Sequence, residues 1–574
     1  MNTTVIDNCS THLTDNGKTN SDTCFHKRAF RYFIAVIPVA LVLLISTSYQ
    51  HSPGKENFPE YGYLNPETID SLRAFLTSDA ADSTIRIEGE IPQMISAIRT
   101  FYLDNGYKPV WTHHCGLNER AEELLRLVEN SREYGLEPAS YHLAAIRQLQ
   151  LRMEDISRPA RQSTTGVALE VLISEAAFRL MVNLHAGYRA YDSTLFSETW
   201  VAELPGTLAS GLMNKTLSNS ILSVQPQFIE YLRLQAASRK FVRNNTLTDE
   251  WVNITYPTKD SAVLYGQIRM ALQKYGYISS NDFDGNLTVA LKRFQYFHGL
   301  KPDGKPGKNT IEALEQSMLY KYRILALNLD RLRKKQNMNA NMLYVNIPAY
   351  QMKVFQGNKL VDTFRVIVGH PSTPTPVISS QMNKVIANPT WFVPKSITMN
   401  EIIPKIKSDS GYLKRNNFQL LDKDYKTVSY ESINMADISS DNFNYTIRQD
   451  RGADNSLGQL KFIFPSPYAI YLHDTPGKSL FSKDLRAFSH GCVRVQHPER
   501  LAGYILHQIN ADTTNIVNLI RTGKHREFGV NSELSVEILY ITCEADDAGR
   551  LFFYKDIYGT DKKELEKFST VAGI

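Results

Sequence analysis

Ile470 to Val495 reads IYLHDTPGKSLFSKDLRAFSHGCVRV, and its two ends carry the chemistry. A strand is predicted to end in His473-Asp474, a loop follows with Pro476-Gly477, and fifteen residues separate His473 from Ser489-His490-Gly491-Cys492-Val493-Arg494. Acyl transfer needs a nucleophile, a base and donors for a developing oxyanion. Cys492 can be the nucleophile, because a thiolate attacks carbonyls well and its usual pKa of about 8.5 falls to roughly 3.5–7.5 beside a protonated imidazole. His490 lies only two positions away, and local geometry decides whether its ring reaches the sulfur. His473 arrives from another strand and is the expected acid/base. Gly491 leaves room for close approach, the N–H groups of Gly491 and Cys492 are candidate oxyanion donors, and Ser489 could orient the imidazole through its backbone or hydroxyl. Arg494 reads as a charged structural partner or a carboxylate clamp, with the clamp preferred, and Tyr471 is assigned with it to substrate binding. Taken alone, a cysteine near two histidines also reads as a buried thiol with satisfied neighbours.

Outward from this stretch the sequence is strand-like. Leu343 to Ile347, Gln351 to Phe355 and Thr363 to Val368 are separated by Pro-Ala and Gly-Asn turns. Further strands are expected at Lys384 to Asn388, Lys461 to Phe464, Ala469 to Leu472, Ser535 to Cys543 and Leu551 to Tyr554, the last two as a closing hairpin through Asp546 to Gly549. Between Pro394 and about Asn455 the strand rhythm gives way to helical and polar sequence, as in Ile402 to Ile406 and Tyr430 to Ile438. An insertion of that length is usually functional or disordered.

Upstream, Asp260 to Tyr320 predicts two helices flanking a Gly-punctuated turn and a third starting near Asn309-Thr310. From Leu64 to Trp251 apolar positions recur at three- and four-residue spacing, as in Ala121 to Val128 and Val167 to Val182, so a helical scaffold is expected. His113-His114-Cys115 resembles a metal cluster only briefly: adjacent side chains diverge, and no fourth ligand is spaced for zinc. No metal or organic cofactor is indicated.

A chain of 574 residues exceeds a single core, so two to four domains are expected. Hydrophobic residues at 43% and charged residues at 21% exclude a disordered chain or a polytopic membrane protein. A net charge of +5 with no long Lys/Arg run argues against a nucleic-acid partner. One apolar run, Tyr32 to Thr47, follows Lys27, Arg28 and Arg31 and reads as a single membrane span with its N-terminus in the cytoplasm. A cleaved signal peptide and a buried helix are the competing readings; the long polar tail before the run and the poor small-x-small site at Ser46 to Tyr49 disfavour cleavage. This topology exports Cys115, Cys492 and Cys543, an odd number, so at least one thiol is free in an oxidising compartment.

The order His473, a gap of fifteen, then Ser-His-Gly-Cys-Val-Arg is similar to the signature of the L,D-transpeptidase (YkuD domain) family. The resemblance extends over roughly Met342 to Tyr558, including Asn346 to Tyr350, Val366 to Gly369, Asn388-Pro389 and Asn455 to Gly458. Phe294-Gln295, His298-Gly299-Leu300, Asp303-Gly304 and Gly307 to Thr310 resemble the peptidoglycan-binding domain of bacterial wall enzymes. Together they imply a multidomain α+β protein of the large subgroup: cytoplasmic tail 1–29, membrane anchor 30–49, helical scaffold 60–259, three-helix peptidoglycan-binding domain 260–320, and a β-rich catalytic domain 341–558 with a lid at 394–455. The implied reaction is attack of Cys492 on the third-residue diaminopimelate of a tetrapeptide stem, release of D-Ala, and transfer to a neighbouring diaminopimelate amine to give a 3-3 cross-link, with inactivation by carbapenems. The lid could exclude water so that an amine resolves the acyl-enzyme. Gln496 departs from the Asn that many members carry there. Stem peptides, the inner membrane and other wall-synthesis enzymes are the expected partners, with the catalytic domain in the periplasm. Competing readings are an L,D-carboxypeptidase or endopeptidase, attachment of a wall lipoprotein, and a wall-binding protein with a dead transferase domain.

Overall fold

The computed structural model describes residues 66–572, apart from 79–85, 114–115, 155–161, 189–197, 280–285, 336, 430–432, 434–437, 440–441, 512–513 and 532. The expected anchor at 30–49 and cytoplasmic tail lie outside the described residues, as does Cys115; among the described residues no helix is long and apolar enough to cross a membrane.

The scaffold is helical as the spacing predicts. Glu119–Glu129 buries Ala121, Leu124, Leu125 and Val128, and the Asn118 side chain caps it by accepting from the N–H groups of Arg120 and Ala121. The 25-residue helix Gln162–Ala186 is apolar on most of its circumference and runs through the core, where Leu169, Leu172, Phe178 and Met181 are buried. A two-residue hairpin, Thr112–His113 with Gly116–Leu117, interrupts the helices; buried Glu170 holds it by accepting from the N–H groups of Val110 and Thr112 at 2.8 and 2.7 Å.

The three-helix unit comprises Ser261–Lys274, Leu287–Phe297 and Lys308–Leu314 around Leu264, Ile268, Leu272, Leu291, Phe294 and Leu314. Asp260 and Asn286 cap the first two helices. The Phe-Gln and Asp-Gly elements are structural: buried Gln295 accepts from Gly304 N at 2.8 Å and donates to Lys305 O at 2.9 Å, fixing the turn. The following helix, Met318–Arg333, falls outside every predicted element. It is buried on nearly all sides, with Met318, Tyr322, Leu325, Leu329 and Leu332 recurring at three- and four-residue spacing. Its Leu325, Leu329 and Leu332 share a core with Tyr231 and Leu234 of the scaffold and with Met342, Phe355 and Cys543 of the β-domain.

The β-domain is one mixed sheet in the order Arg526–Gly529, Lys384–Ala387, Leu460–Ile463, Leu472–His473, Val493–Val495, Lys359–Gly369, Gln351–Gln356, Met342–Asn346, Ser535–Leu539, Ile378–Gln381, with Ala487–Ser489 beside Lys359–Gly369. One face packs against helices Pro498–Gln508 and Thr514–Thr522 through Leu501, Ile505, Ile516 and Leu519. The expected strand Ser535 to Cys543 divides in two. Ser535–Leu539 pairs in parallel with Met342–Asn346, and only Cys543–Ala545 forms the hairpin with Leu551–Phe553. The chain must leave the sheet between them, where Thr542 N–H donates to Asn328 Oδ1 of the buried helix at 2.9 Å.

The insertion also differs from its expected helical and polar character. Trp391–Phe392, Phe418–Leu421, Thr427–Val428 and Thr446–Gln449 form a four-stranded antiparallel sheet, accompanied by short helices between Lys395 and Arg415. It has its own core of Val393, Ile402, Ile406, Leu413, Leu420 and Ile447. Strands of two to four residues carry too little alternation to register as a period. Most of Tyr430 to Ile438 lies outside the described residues.

Candidate active site

Strands Leu472–His473 and Val493–Val495 pair in parallel, with Leu472 opposite Val493 and His473 opposite Arg494. Val493 N–H donates to Tyr471 O at 3.2 Å, which extends the alignment one step back toward Cys492. Side chains alternate along a strand, so Tyr471, His473, Cys492 and Arg494 share one face, and Leu472, Val493 and Val495 enter the core on the other. All four line a cleft of about 630 Å³ whose opposite wall comes from the insertion, including Trp391, Glu401, Lys405 and Tyr412.

A fifth residue shares that face and was not singled out from sequence. Lys461 lies opposite His473 on the neighbouring antiparallel strand, with its Nζ 3.8 Å from the Tyr471 ring centroid. Its signal is its register, which no local motif reveals. Burial lowers its pKa, and the nearby thiol opposes that shift.

The electrostatics differ from the expected thiolate beside an imidazolium. Burial raises the Cys492 thiol above its ordinary value, against smaller lowering effects from Tyr471, Lys461 and Arg494. Burial also pushes His473 down to about 3, assisted by the positive charge of Arg494. At neutral pH the resting pair is therefore a thiol and a neutral imidazole. His473 Nδ1 is buried without a hydrogen-bond partner among the described residues, leaving it available to a proton acceptor's task. The Cys492 thiol donates to Ala469 O at 3.9 Å, and burial raises the Tyr471 phenol well above its usual range, with Cys492 adding to the shift.

The turn before the thiol redistributes the other expected roles. Ser489 Oγ donates to Cys492 O at 2.5 Å and accepts from Gly491 N at 3.2 Å. Ser489 O accepts from His370 N at 2.8 Å and from Thr373 Oγ1 at 3.1 Å. Ser489 thus shapes the turn and does not orient His473. The Gly491 N–H is already occupied by Ser489 Oγ, which leaves the Cys492 N–H as the uncommitted donor of the expected pair. Thr375 Oγ1 donates to Gly491 O at 2.7 Å and pins the turn from the other side. Gly491 has φ +111°, and a Cβ there would lie 3.0 Å from Ile470 Cδ1, so both conformation and space call for glycine. His490 turns away from the sulfur: its Nε2 pairs with Glu401 of the insertion. Arg494 has a buried Nε without a partner among the described residues, consistent with a group waiting for a ligand carboxylate. At Gln496 the backbone N–H donates to Arg365 O at 3.0 Å.

Among the described residues no cluster of metal-ligating side chains is present.

Residues 340–518 match the YkuD family model, described as the L,D-transpeptidase catalytic domain. Residues 96–237 match the model described as a scaffold domain, and 264–314 the one described as "Putative peptidoglycan binding domain". The three matches follow one another along the chain in the order scaffold, peptidoglycan-binding and L,D-transpeptidase catalytic domain. It is 36% identical over 239 residues to a Haemophilus influenzae protein named "Putative L,D-transpeptidase", covering 42% of this chain and 48% of that one. The chain thus matches about half the length of that curated relative. A crystal structure of Mycobacterium tuberculosis L,D-transpeptidase 1 is 14% identical, covering 35% of this chain and 61% of that one, with a TM-score of 0.14.

Proposed function

We propose that the chain is an L,D-transpeptidase that forms 3-3 peptidoglycan cross-links by a cysteine acyl-enzyme mechanism. The observation that carries this reading is the common face of Cys492, His473, Tyr471 and Arg494 inside one capped cleft. On attack, neutral His473 takes the Cys492 proton as the sulfur bonds to the donor carbonyl, with Cys492 N–H receiving the oxyanion. The C–N bond to D-Ala then breaks, and the imidazolium returns the proton to the leaving amine. A diaminopimelate amine of a second stem attacks the thioester in the same way, and the thiol is restored. Arg494 holds a stem carboxylate, a role supported by its buried Nε, which has no partner among the described residues. The capping insertion favours an amine over water by limiting solvent access.

Incubating the chain with disaccharide-tetrapeptide, beside a Cys492→Ala control, tests this reading by mass spectrometry of the products. A cross-linked dimer lacking one D-Ala, absent from the control, is expected. Trimmed tripeptide alone would make the chain an L,D-carboxypeptidase, and transfer to a lipoprotein lysine would make it an attachment enzyme using the same Cys-His pair. Identical behaviour of the control would remove Cys492 as nucleophile.

The apolar run Tyr32 to Thr47 is proposed to anchor the chain in the inner membrane with its N-terminus in the cytoplasm and the catalytic domain in the periplasm. Resistance of membrane-bound chain to alkaline extraction, with protease access to the C-terminal part from the periplasmic side only, is the expected result. Release into the soluble fraction after removal of the first residues would instead indicate a cleaved leader.

A further inference from the structure

A second cleft, of about 260 Å³, opens where the three-helix unit meets helix Met318–Arg333 and the hairpin Cys543–Ala545 with Leu551–Phe553. Arg293, Lys321 and Arg550 line it together with aromatic rings, and no carboxylate does. The neighbouring cavity beyond His298 and Phe553 is lined instead by Glu312, Asp556 and Asp561, so the positive lining is local.

Lys321 is the unusual member. It is 3% exposed, and no ion-pair partner faces it among the described residues. Its Nζ lies 3.1 Å from His298 Nε2 and 3.5 Å from the Tyr275 ring centroid, with the Phe294 and Phe553 rings at 5.4 and 5.5 Å. His298 donates through Nδ1 to Phe294 O at 2.8 Å, so its Nε2 can only accept from Lys321. A buried ammonium with π faces and a neutral imidazole around it is under-compensated, and burial holds it down to about 7. Above it, Arg293 and Arg550 are exposed; Arg293 stacks on Tyr277 and Arg550 on Phe297, with guanidinium-to-centroid distances of 6.0 and 5.5 Å. Arg550 also pairs with Asp546 at 2.6 Å. The Asp546 carboxylate takes one edge of Arg550, through Nε and one terminal nitrogen; the remaining N–H groups of Arg550 and the stacked Arg293 guanidinium are left to face a planar anion.

We propose that this cleft binds a carboxylate-bearing peptide of the kind that uncross-linked wall stems present, with Lys321 at its floor and Arg293 and Arg550 at its mouth. The assignment rests on the peptidoglycan reading given above and adds to it a place and a chemistry for wall recognition outside the catalytic cleft. The Tyr277 and Phe297 rings take the aliphatic parts of the peptide, and the volume admits about one or two residues.

Co-sedimentation of the full chain in detergent with purified sacculi tests the proposal, with a parallel arm of sacculi whose stem peptides have been removed by an amidase. The double variant Arg293→Gln/Arg550→Gln is expected to bind intact sacculi roughly tenfold more weakly than wild type, the loss of one to two charge-assisted contacts. It should bind the stripped glycan as wild type does. Turnover of soluble disaccharide-tetrapeptide should be unchanged, which also shows that the variant is folded. Arg293→Gln alone, which leaves the Arg550–Asp546 pair intact, should lose a few-fold, about half of the double variant's free-energy loss. Equal binding of wild type and double variant to intact sacculi would overturn the proposal. Equal losses on intact and stripped sacculi, or competition by inorganic phosphate, would also overturn it by pointing to glycan or phosphate recognition. Binding is read without turnover, so failure to make a cross-link would count against the transpeptidase reading while the binding ratio still decides the cleft.

Discussion

His490 Nε2 is paired with Glu401, across the cleft from the strand that carries His490's own motif. The two histidines of the reactive segment are therefore divided between two tasks, His473 facing the thiol's side of the cleft and His490 meeting the insertion. Substitution should separate them. His473→Gln is expected to lower acylation by about 10²- to 10⁴-fold, the usual contribution of a positioned acid/base. His490→Gln should retain activity within several-fold and change stability by less than about 1 kcal/mol, because its pair is partly exposed. Single-turnover acylation by a tetrapeptide donor measures both, and equal losses would contradict the division.

Lys461 favours the thiolate over the thiol, since its positive charge lowers the Cys492 pKa against the larger effect of burial. Lys461→Met should shift the pH midpoint of Cys492 alkylation upward. A small iodoacetamide-type reagent gives that midpoint directly, and a midpoint that stayed put or moved down would show that Lys461 does not act on the sulfur.

His473 is held down to about 3, far from the usual imidazole range. It therefore stays neutral, and able to accept a proton, as pH falls from 8 to 5. The acylation rate should show no acid limb near pH 6.5. Arg494 contributes to that depression, so Arg494→Gln should raise the His473 pKa and move the acid limb toward neutrality. A wild-type limb centred near 6.5 would mean that the ring is solvated during catalysis.

Gly491→Ala should be costly for two reasons that act together: a φ of +111° and a Cβ 3.0 Å from Ile470 Cδ1. A loss of roughly 1–3 kcal/mol in stability is expected from the strained backbone. Denaturant unfolding of the variant measures it, with thiol alkylation reporting whether the turn has moved. A variant as stable as wild type and equally reactive would show that the turn relaxes freely.

The residues Tyr471, His473, Cys492 and Arg494 were legible in one stretch of sequence because thiol, imidazole and guanidinium fall in a single motif; the strand pairing then adds that they share a face. Lys461 and Glu401 were not, because pairing register brings in the first and a separately folded insertion the second. Ser489 and Gly491 were legible as important but not in their roles, since a hydroxyl can serve an imidazole or a turn with the same sequence. The helices at 119–129 and 162–186 followed from apolar spacing; Met318–Arg333 carries the same spacing at Tyr322, Leu325, Leu329 and Leu332, but straddles the boundary between the expected three-helix unit and the β-rich domain. The sheet's strands were mostly visible; the division of Ser535 to Cys543 was hidden because Tyr540 to Thr542 between the halves are as buried as the strands themselves, and tertiary hydrogen bonds at Thr542 set the break.

The alignment of His473 with Arg494 is held by a parallel strand pair, with the chain leaving the sheet after His473 and rejoining it first at Ala487–Ser489. Spatial precision at the reacting atoms is thereby separated from contour length between them. The exposed middle of that loop, around Lys483 to Leu485, can lengthen, shorten or change composition while base and nucleophile keep their registration. Diversification of that exposed surface need not compete with preservation of the chemistry at the floor of the cleft.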